Sequence, residues 1–279
     1  MSSIYKKSVF IISWLGYSKS ITTAAKMFND SSCTDVHALR QLLHHDYFTR
    51  LWIVQEVLLA REVRFLCSKM WIKLADMQAC VAERECHVRP ISNESLYLLW
   101  DSFYNRDNRL LEQCIDRYSS NGCKEPRDKV YALRGVLSRK ETRLLTVNYR
   151  NPIQEVYIDA VKVMASSYWS NCTSYQIIQE KRPVPAYVRI SLQLAREMLS
   201  FGELGLQSFF DKVCSYEPDE EWYARLREFL LARDNIRKVD GHEQDWEQQD
   251  VLEDGRVSED AENKEFFKMP KRLAKKAKL

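Results

Sequence analysis

Between Asp46 and Ala60 the chain reads DYFTRLWIVQEVLLA, a run without Gly or Pro. Tyr47, Leu51, Val54 and Leu58 recur three or four residues apart and so share one helical face. Trp52, Gln55, Glu56 and Leu59 share the neighbouring face by the same arithmetic. Apolar groups covering most of a helix imply a core element, not a surface one. The Gln55 amide and Glu56 carboxylate then need partners, because a buried unpaired polar group costs about 1–3 kcal/mol. Arg50, Arg61 and Arg64 are the nearest candidates. The expectation is one helix over 46–60 that buries Leu51, Val54 and Leu58, with Trp52 largely buried.

The rest of the chain is read around that hub. Val9-Phe10-Ile11-Ile12, bounded by Gly16, is β-branched and aromatic and predicts a buried strand whose outer edge lacks a partner. A short helix over 21–28 and another after Asp35, which would cap it, precede the hub. Val63–Cys67 and Met70–Ile72 predict two short strands, and Ala75–Glu85 a helix. Residues 95–118 predict one long helix with Leu96, Leu99, Phe103, Leu110, Leu111 and Ile115 on its apolar side, broken at Asn121-Gly122. Pro126 suits the first turn of the next helix, and Asp128 suits its positive end. Leu144–Val147 predicts a last strand, and Asn151-Pro152 opens a helix to Tyr168. A boundary is expected near Glu180–Pro185, followed by helices over 186–199, 204–213 and 221–233. The expected division is therefore 1–180, a helical region 181–238, and a disordered 239–279 in which an acidic stretch leads to a basic tail. The fold class is α/β, predominantly α-helical with a few short strands; seven Gly and seven Pro are too few for a turn-rich β architecture.

A net charge of +3 gives nucleic acid little to grip. Val9–Leu15 is too short to span a bilayer, so no membrane span is expected. Eight Cys without a C-x-x-C pair read as reduced thiols in an intracellular protein. Cys80, Cys86 and His87 lie close together but fit no familiar zinc spacing, so neither metal nor cofactor is assigned.

Four stretches carry a family likeness. Arg50-Leu51-Trp52-Ile53-Val54-Gln55-Glu56-Val57 with Leu59–Val63 resembles the central signature of fungal heterokaryon incompatibility domains. Ile4-Tyr5 with Val9–Gly16, including Trp14, resembles the segment before it. Pro126–Val136, with Arg127, Asp128, Tyr131 and Gly135, resembles the downstream helix, and Val147-Asn148-Tyr149 with Val156-Tyr157 the closing strand and helix. Arg134 and Cys67-Ser68 depart from the family's usual apolar residue and Gly. The family's opening half, with its Ile-Asp-Ala-Ile-Cys-Ile-Asn-Gln-like strand, has no counterpart, which leaves a truncated gene model or a degenerate relative.

The resemblance implies a fold like that of Toll/interleukin-receptor domains and a role in self/non-self recognition or cell-death signalling, through protein partners or self-assembly. It also implies an alternative: cleavage of a nicotinamide dinucleotide, with Glu56 as the catalytic carboxylate. Part of such a site would be expected in the opening half, which favours a non-catalytic remnant in which Glu56 pairs with Arg50 or Arg127. At the far end Ala277-Lys278-Leu279 resembles a peroxisomal address, and Lys271-Arg272 with Lys275-Lys276 a nuclear one. With neither address in use, the expected location is intracellular, in the cytoplasm.

Overall fold

The computed structural model describes residues 2–32, 34–83, 93–104, 109–171, 184–200, 204–213 and 216–239. The chain divides into two units, Met1–Phe229 and Leu230–Leu279. Of the second, only the end of the last helix is described. The acidic stretch, the basic tail with Ala277, Lys278 and Leu279, and Cys86 with His87 therefore lie outside the described residues.

Helix α1 (Ser2–Lys7) leads into β1 (Ile11–Gly16). Helices α2 (Lys19–Asp30) and α3 (Val36–Leu43), a 3-10 turn (Asp46–Thr49) and α4 (Ile53–Leu59) form the crossover to β2 (Val63–Cys67). β2 pairs parallel with β1, and β3 (Met70–Lys73) returns antiparallel beside β2, in the order β1-β2-β3. This mixed, mainly helical arrangement agrees with the expected class. Ser18 starts α2 by accepting from Ile21 N–H, and Asp35 caps α3 by accepting from Ala38 N–H at 3.0 Å.

One face of the sheet is the core. Ser13, Leu15, Val63, Phe65, Cys67 and Ile72 are buried there, with Phe65 against Tyr47 and Phe48 at 6.0 and 5.4 Å. The other face is open. It holds Ile12, Trp14, Arg64, Leu66, Trp71 and Lys73, with Trp14 62% exposed. The expected buried strand over 9–12 is thus shifted and only half-covered: Val9, Phe10 and Ile12 are exposed. Alternation along a strand sends every second side chain outward, whatever its hydrophobicity. Gly16 ends β1 at φ 83°, a left-handed conformation that Gly adopts without a Cβ clash.

Three expected elements are redrawn. The hub is not one helix, because Arg50 is extended and its backbone pairs with Gly122. Leu51 N–H donates to Gly122 C=O at 2.9 Å, and Gly122 N–H to Thr49 C=O at 2.7 Å. Residues 95–118 form two helices, α6 (Asn93–Tyr104) and α7 (Leu111–Tyr118), because Arg109 bridges to Leu137 between them. The expected strand over 144–147 is instead the end of α9 (Arg139–Leu144) and an irregular segment. Ser138 starts that helix, and the Arg134 guanidinium takes up the Leu145 carbonyl, which a strand would pair, along with that of Thr142 within α9.

The remaining helices are α5 (Leu74–Glu83), α8 (Asp128–Tyr131), α10 (Ile153–Asn171), α11 (Ala186–Leu199), α12 (Leu204–Phe210) and α13 (Glu220–Val239). α11 packs against α10 and α7 within the first unit, so the chain on either side of the expected boundary shares one core. No described helix is long and apolar enough to cross a membrane.

Glu141 is fully buried and caps α7 from a distance, accepting from Leu111 N–H at 2.8 Å and Ser167 Oγ at 2.6 Å. Burial pushes its carboxyl above the usual value, against those two hydrogen bonds. A carboxyl with a raised native pKa stabilises the fold fully below its unfolded value near 4.5, and that contribution is lost as pH rises through the native pKa. Glu141→Gln removes this titration. Its stability relative to the parent is expected to improve as pH goes from 4 to 7 in urea melts, and a fall would contradict the assignment.

Candidate functional site

The break at Arg50 decides which way the hub's polar groups point. Asn121 Nδ2 donates to the Phe48 carbonyl at 3.1 Å, and Lys129 Nζ donates to Ser119 and Asn121 carbonyls at 2.5 and 2.9 Å. A lysine from the downstream motif therefore holds the loop that holds the break. Its charge also meets Glu197 at 3.2 Å.

Beyond the break, the hub faces that motif. Trp52 Nε1–H donates to Asp128 Oδ2 at 3.0 Å, and Tyr149 OH to Asp128 Oδ1 at 2.6 Å. Burial, reinforced by the Asp128 charge, raises the Tyr149 phenol well above its ordinary pKa, so it stays a donor. Gln55 Nε2 donates to the Ala132 carbonyl at 2.6 Å. Tyr131 packs edge-on against Tyr149 at 5.2 Å, and its hydroxyl donates to Asn148 C=O. Arg127 reaches Asn151 C=O at 2.8 Å and Glu125 at 2.6 Å. Trp52, Gln55, Asp128, Tyr131 and Tyr149, singled out on separate stretches of sequence, thus form one network across three segments. Tyr157 stands apart, donating to Ser191 C=O at 3.0 Å, and Gly135 lies in a 3-10 turn (Arg134–Val136). Trp14 and Gly16 are at the sheet edge.

Glu56 points elsewhere. The half-buried carboxylate accepts from Tyr47 OH at 2.9 Å, and Tyr47 in turn meets Ser13 Oγ at 2.7 Å. With Tyr47 donating onward, the Ser13 hydroxyl donates to the phenol oxygen. Burial and then the Glu56 charge raise the Tyr47 phenol, and the same two causes raise Tyr5, with Arg50 opposing. The expected tie between Glu56 and Arg127 is not formed, since Arg127 engages Glu125 and Asn151. A tyrosine hydroxyl is what meets the Glu56 carboxylate. The sequence places Tyr47 on the core face, and Tyr5 and Ser13 only within the resembling segment, with no site role for any of the three. A phenol tip nine residues before a carboxylate on an apolar stretch is the only signal that could have raised Tyr47.

The Ser13-Tyr47-Glu56 chain joins β1, the 3-10 turn and α4. Chemically it can tie three elements together or pass a proton along hydroxyls to a carboxylate. A separate cleft of about 150 Å³, lined by Val57, Arg61, Lys73, Leu74, Gln78 and Ser102, is smaller than the ~300–1,000 Å³ typical of ligand sites. Among the described residues no group of His, Cys, Asp and Glu could hold a metal ion. Burial pushes the Cys67 thiol up to about 11 and the Cys114 thiol up to about 12, and neither is in a disulfide. No protein-family model, curated protein or solved structure matches the chain.

Proposed function

We propose that this chain is a protein-interaction module of the heterokaryon-incompatibility type, serving self/non-self recognition or cell-death signalling by contact and without turning over a substrate. The observation that carries the reading is the open sheet face. Trp14, from one of the four resembling stretches, lies there in a row with Leu66 and Trp71, and both tryptophans are about half exposed or more. An uncovered sheet face bearing large apolar groups in a row marks a surface for another molecule. The remaining resembling residues are spent on packing: Asp128 binds Trp52 and Tyr149, and Gln55 binds a main-chain carbonyl. The resemblance implies a Toll/interleukin-receptor-like α/β fold, in which β1, its helical crossover and β2 form a parallel unit.

A second reading has an observation of its own. The Tyr47 hydroxyl donates to the Glu56 carboxylate, whose charge also reaches Tyr5, an arrangement that dinucleotide cleavage could use. One experiment separates the two. Induced expression in a filamentous fungus is expected to arrest growth without loss of the nicotinamide dinucleotide, and Glu56→Gln is expected to arrest it equally. Trp14→Lys is expected to relieve the arrest. Dinucleotide loss that Glu56→Gln abolishes would establish the enzyme instead, and unimpaired growth on expression would sink the signalling reading.

A further inference from the structure

We propose that the free edge of β1 is a homodimerisation site, at which β1 of one copy pairs antiparallel with β1 of a second about a two-fold axis through Ser13. The proposal rests on the reading of the sheet as an interaction surface and names the partner.

Main-chain direction is the first argument. Ile11 N–H donates to Glu62 C=O at 2.9 Å, toward β2. Main-chain groups alternate along a strand, so Ser13 turns the same way, whereas Ile12 and Trp14 present N–H and C=O to the other edge. No strand pairs with that edge among the described residues. A two-fold at Ser13 sets Ile12 opposite Trp14 of the second copy, and Trp14 opposite its Ile12. Each is then a hydrogen-bonded antiparallel pair, so four main-chain bonds form and no group on the edge between them is left over. An isologous contact requires this kind of self-complementarity.

Side chains give the second argument. Ser8–Tyr17 carries no charged residue, and no proline lies within it. Charge and proline are the usual devices that keep edge strands apart, and their absence leaves this edge unguarded. Two copies also bring no like charges into register across the strand pair. On the open face, Ile12 and Trp14 of both copies would form one aliphatic–aromatic cluster, extended by Trp14's neighbour Tyr17 at 6.2 Å.

Area is the third. Val9, Phe10, Ile12, Trp14 and Tyr17 are all exposed, the last 77%. With ~150–250 Å² for each aromatic side chain, the five offer roughly 600 Å² per copy. Two copies would bury at most about 1,200 Å², the lower end of the standard interface class. The expected complex is a reversible dimer of micromolar strength.

Sedimentation velocity on the full chain, from about 1 to 100 µM, tests this. The parent should shift from monomer to dimer across that range. Trp14→Lys places a charge on the edge without touching the core, and Ile12→Pro deletes an outward N–H that the monomer's sheet does not use. Both should remain monomeric throughout, with the parent's circular dichroism. Trp71→Lys, on the same face but two strands away, should still dimerise. A parent that stays monomeric overturns the proposal, as does a dimer that Trp71→Lys abolishes and Ile12→Pro spares, which would be face-to-face stacking. Growth arrest relieved by Trp14→Lys with a monomeric parent would keep the interaction surface and discard the second copy as its occupant. A dimer disrupted by Trp14→Lys, with arrest unchanged, would keep the homodimer and discard this face as the signalling surface.

Discussion

Asp101→Ala is expected to destabilise the fold by about 3–5 kcal/mol, the range for removing one partner of a buried ion pair. Asp101 lies on α6, with its side chain 9% exposed, and Arg109 Nη1 meets it at 2.7 Å from a side chain 8% exposed. Arg117 binds the second carboxylate oxygen, and Tyr118 OH donates to the first at 2.6 Å. Burial, with the Asp101 charge behind it, holds the Tyr118 phenol well above its ordinary value. Alanine would leave the Arg109 charge without its buried carboxylate, and the cost comes from that charge more than from the lost contacts. The Arg109 backbone also bridges to Leu137, so the α6–α7 corner and the turn before α9 should loosen together. Urea melts of parent and variant measure the loss. A change below about 1 kcal/mol would place the carboxylate at the level of an exposed ion pair.

Leu51→Ala and Leu58→Ala are each expected to cost about 2–5 kcal/mol, as large-to-small core changes do. Both side chains are 0% exposed. Leu51 has the stricter surroundings, because its N–H is engaged by Gly122 and its backbone follows the extended Arg50. Collapse onto the cavity is therefore restricted there, and the Leu51 variant should fall at the upper end, Leu58 below it. Equal losses under 1 kcal/mol in urea melts would show that neither side chain fills a rigid site.

The two predictions differ in how they could be found. Burial of Leu51, Val54 and Leu58 was legible from spacing alone, and it survives although the helix carrying them does not: a 3-10 turn, an extended Arg50 and α4 keep the same side inward. The Asp101 network was not legible. Residues 95–118 scan as one apolar-faced helix, and nothing local marks Arg109 as the point where the chain turns.

Elements set by local signals were determined by the sequence itself. Asp35 capping α3, Pro152 before α10, the strands at 63–67 and 70–73 and the helix at 186–199 depend on propensity, capping and period, which act within a few residues. The sequence also grouped Trp52, Gln55, Asp128, Tyr131 and Tyr149 through a resemblance, without stating what brings them together. Tertiary structure decided the rest. Whether Arg50 is helical depends on Gly122, more than seventy positions on, whose main-chain groups are paired only if Arg50 is extended. Leu144–Val147 lost its strand because Arg134 occupies the Leu145 carbonyl and, among the described residues, no neighbouring strand supplies a ladder. Glu56 meets Tyr47 and not Arg127 because the break folds the 3-10 turn back onto α4, while Arg127 is held by Glu125 and the Asn151 carbonyl. The hydrophobic run at 9–12 could not reveal which of its side chains face water, since a strand's register against its neighbour, and not its composition, chooses the buried face.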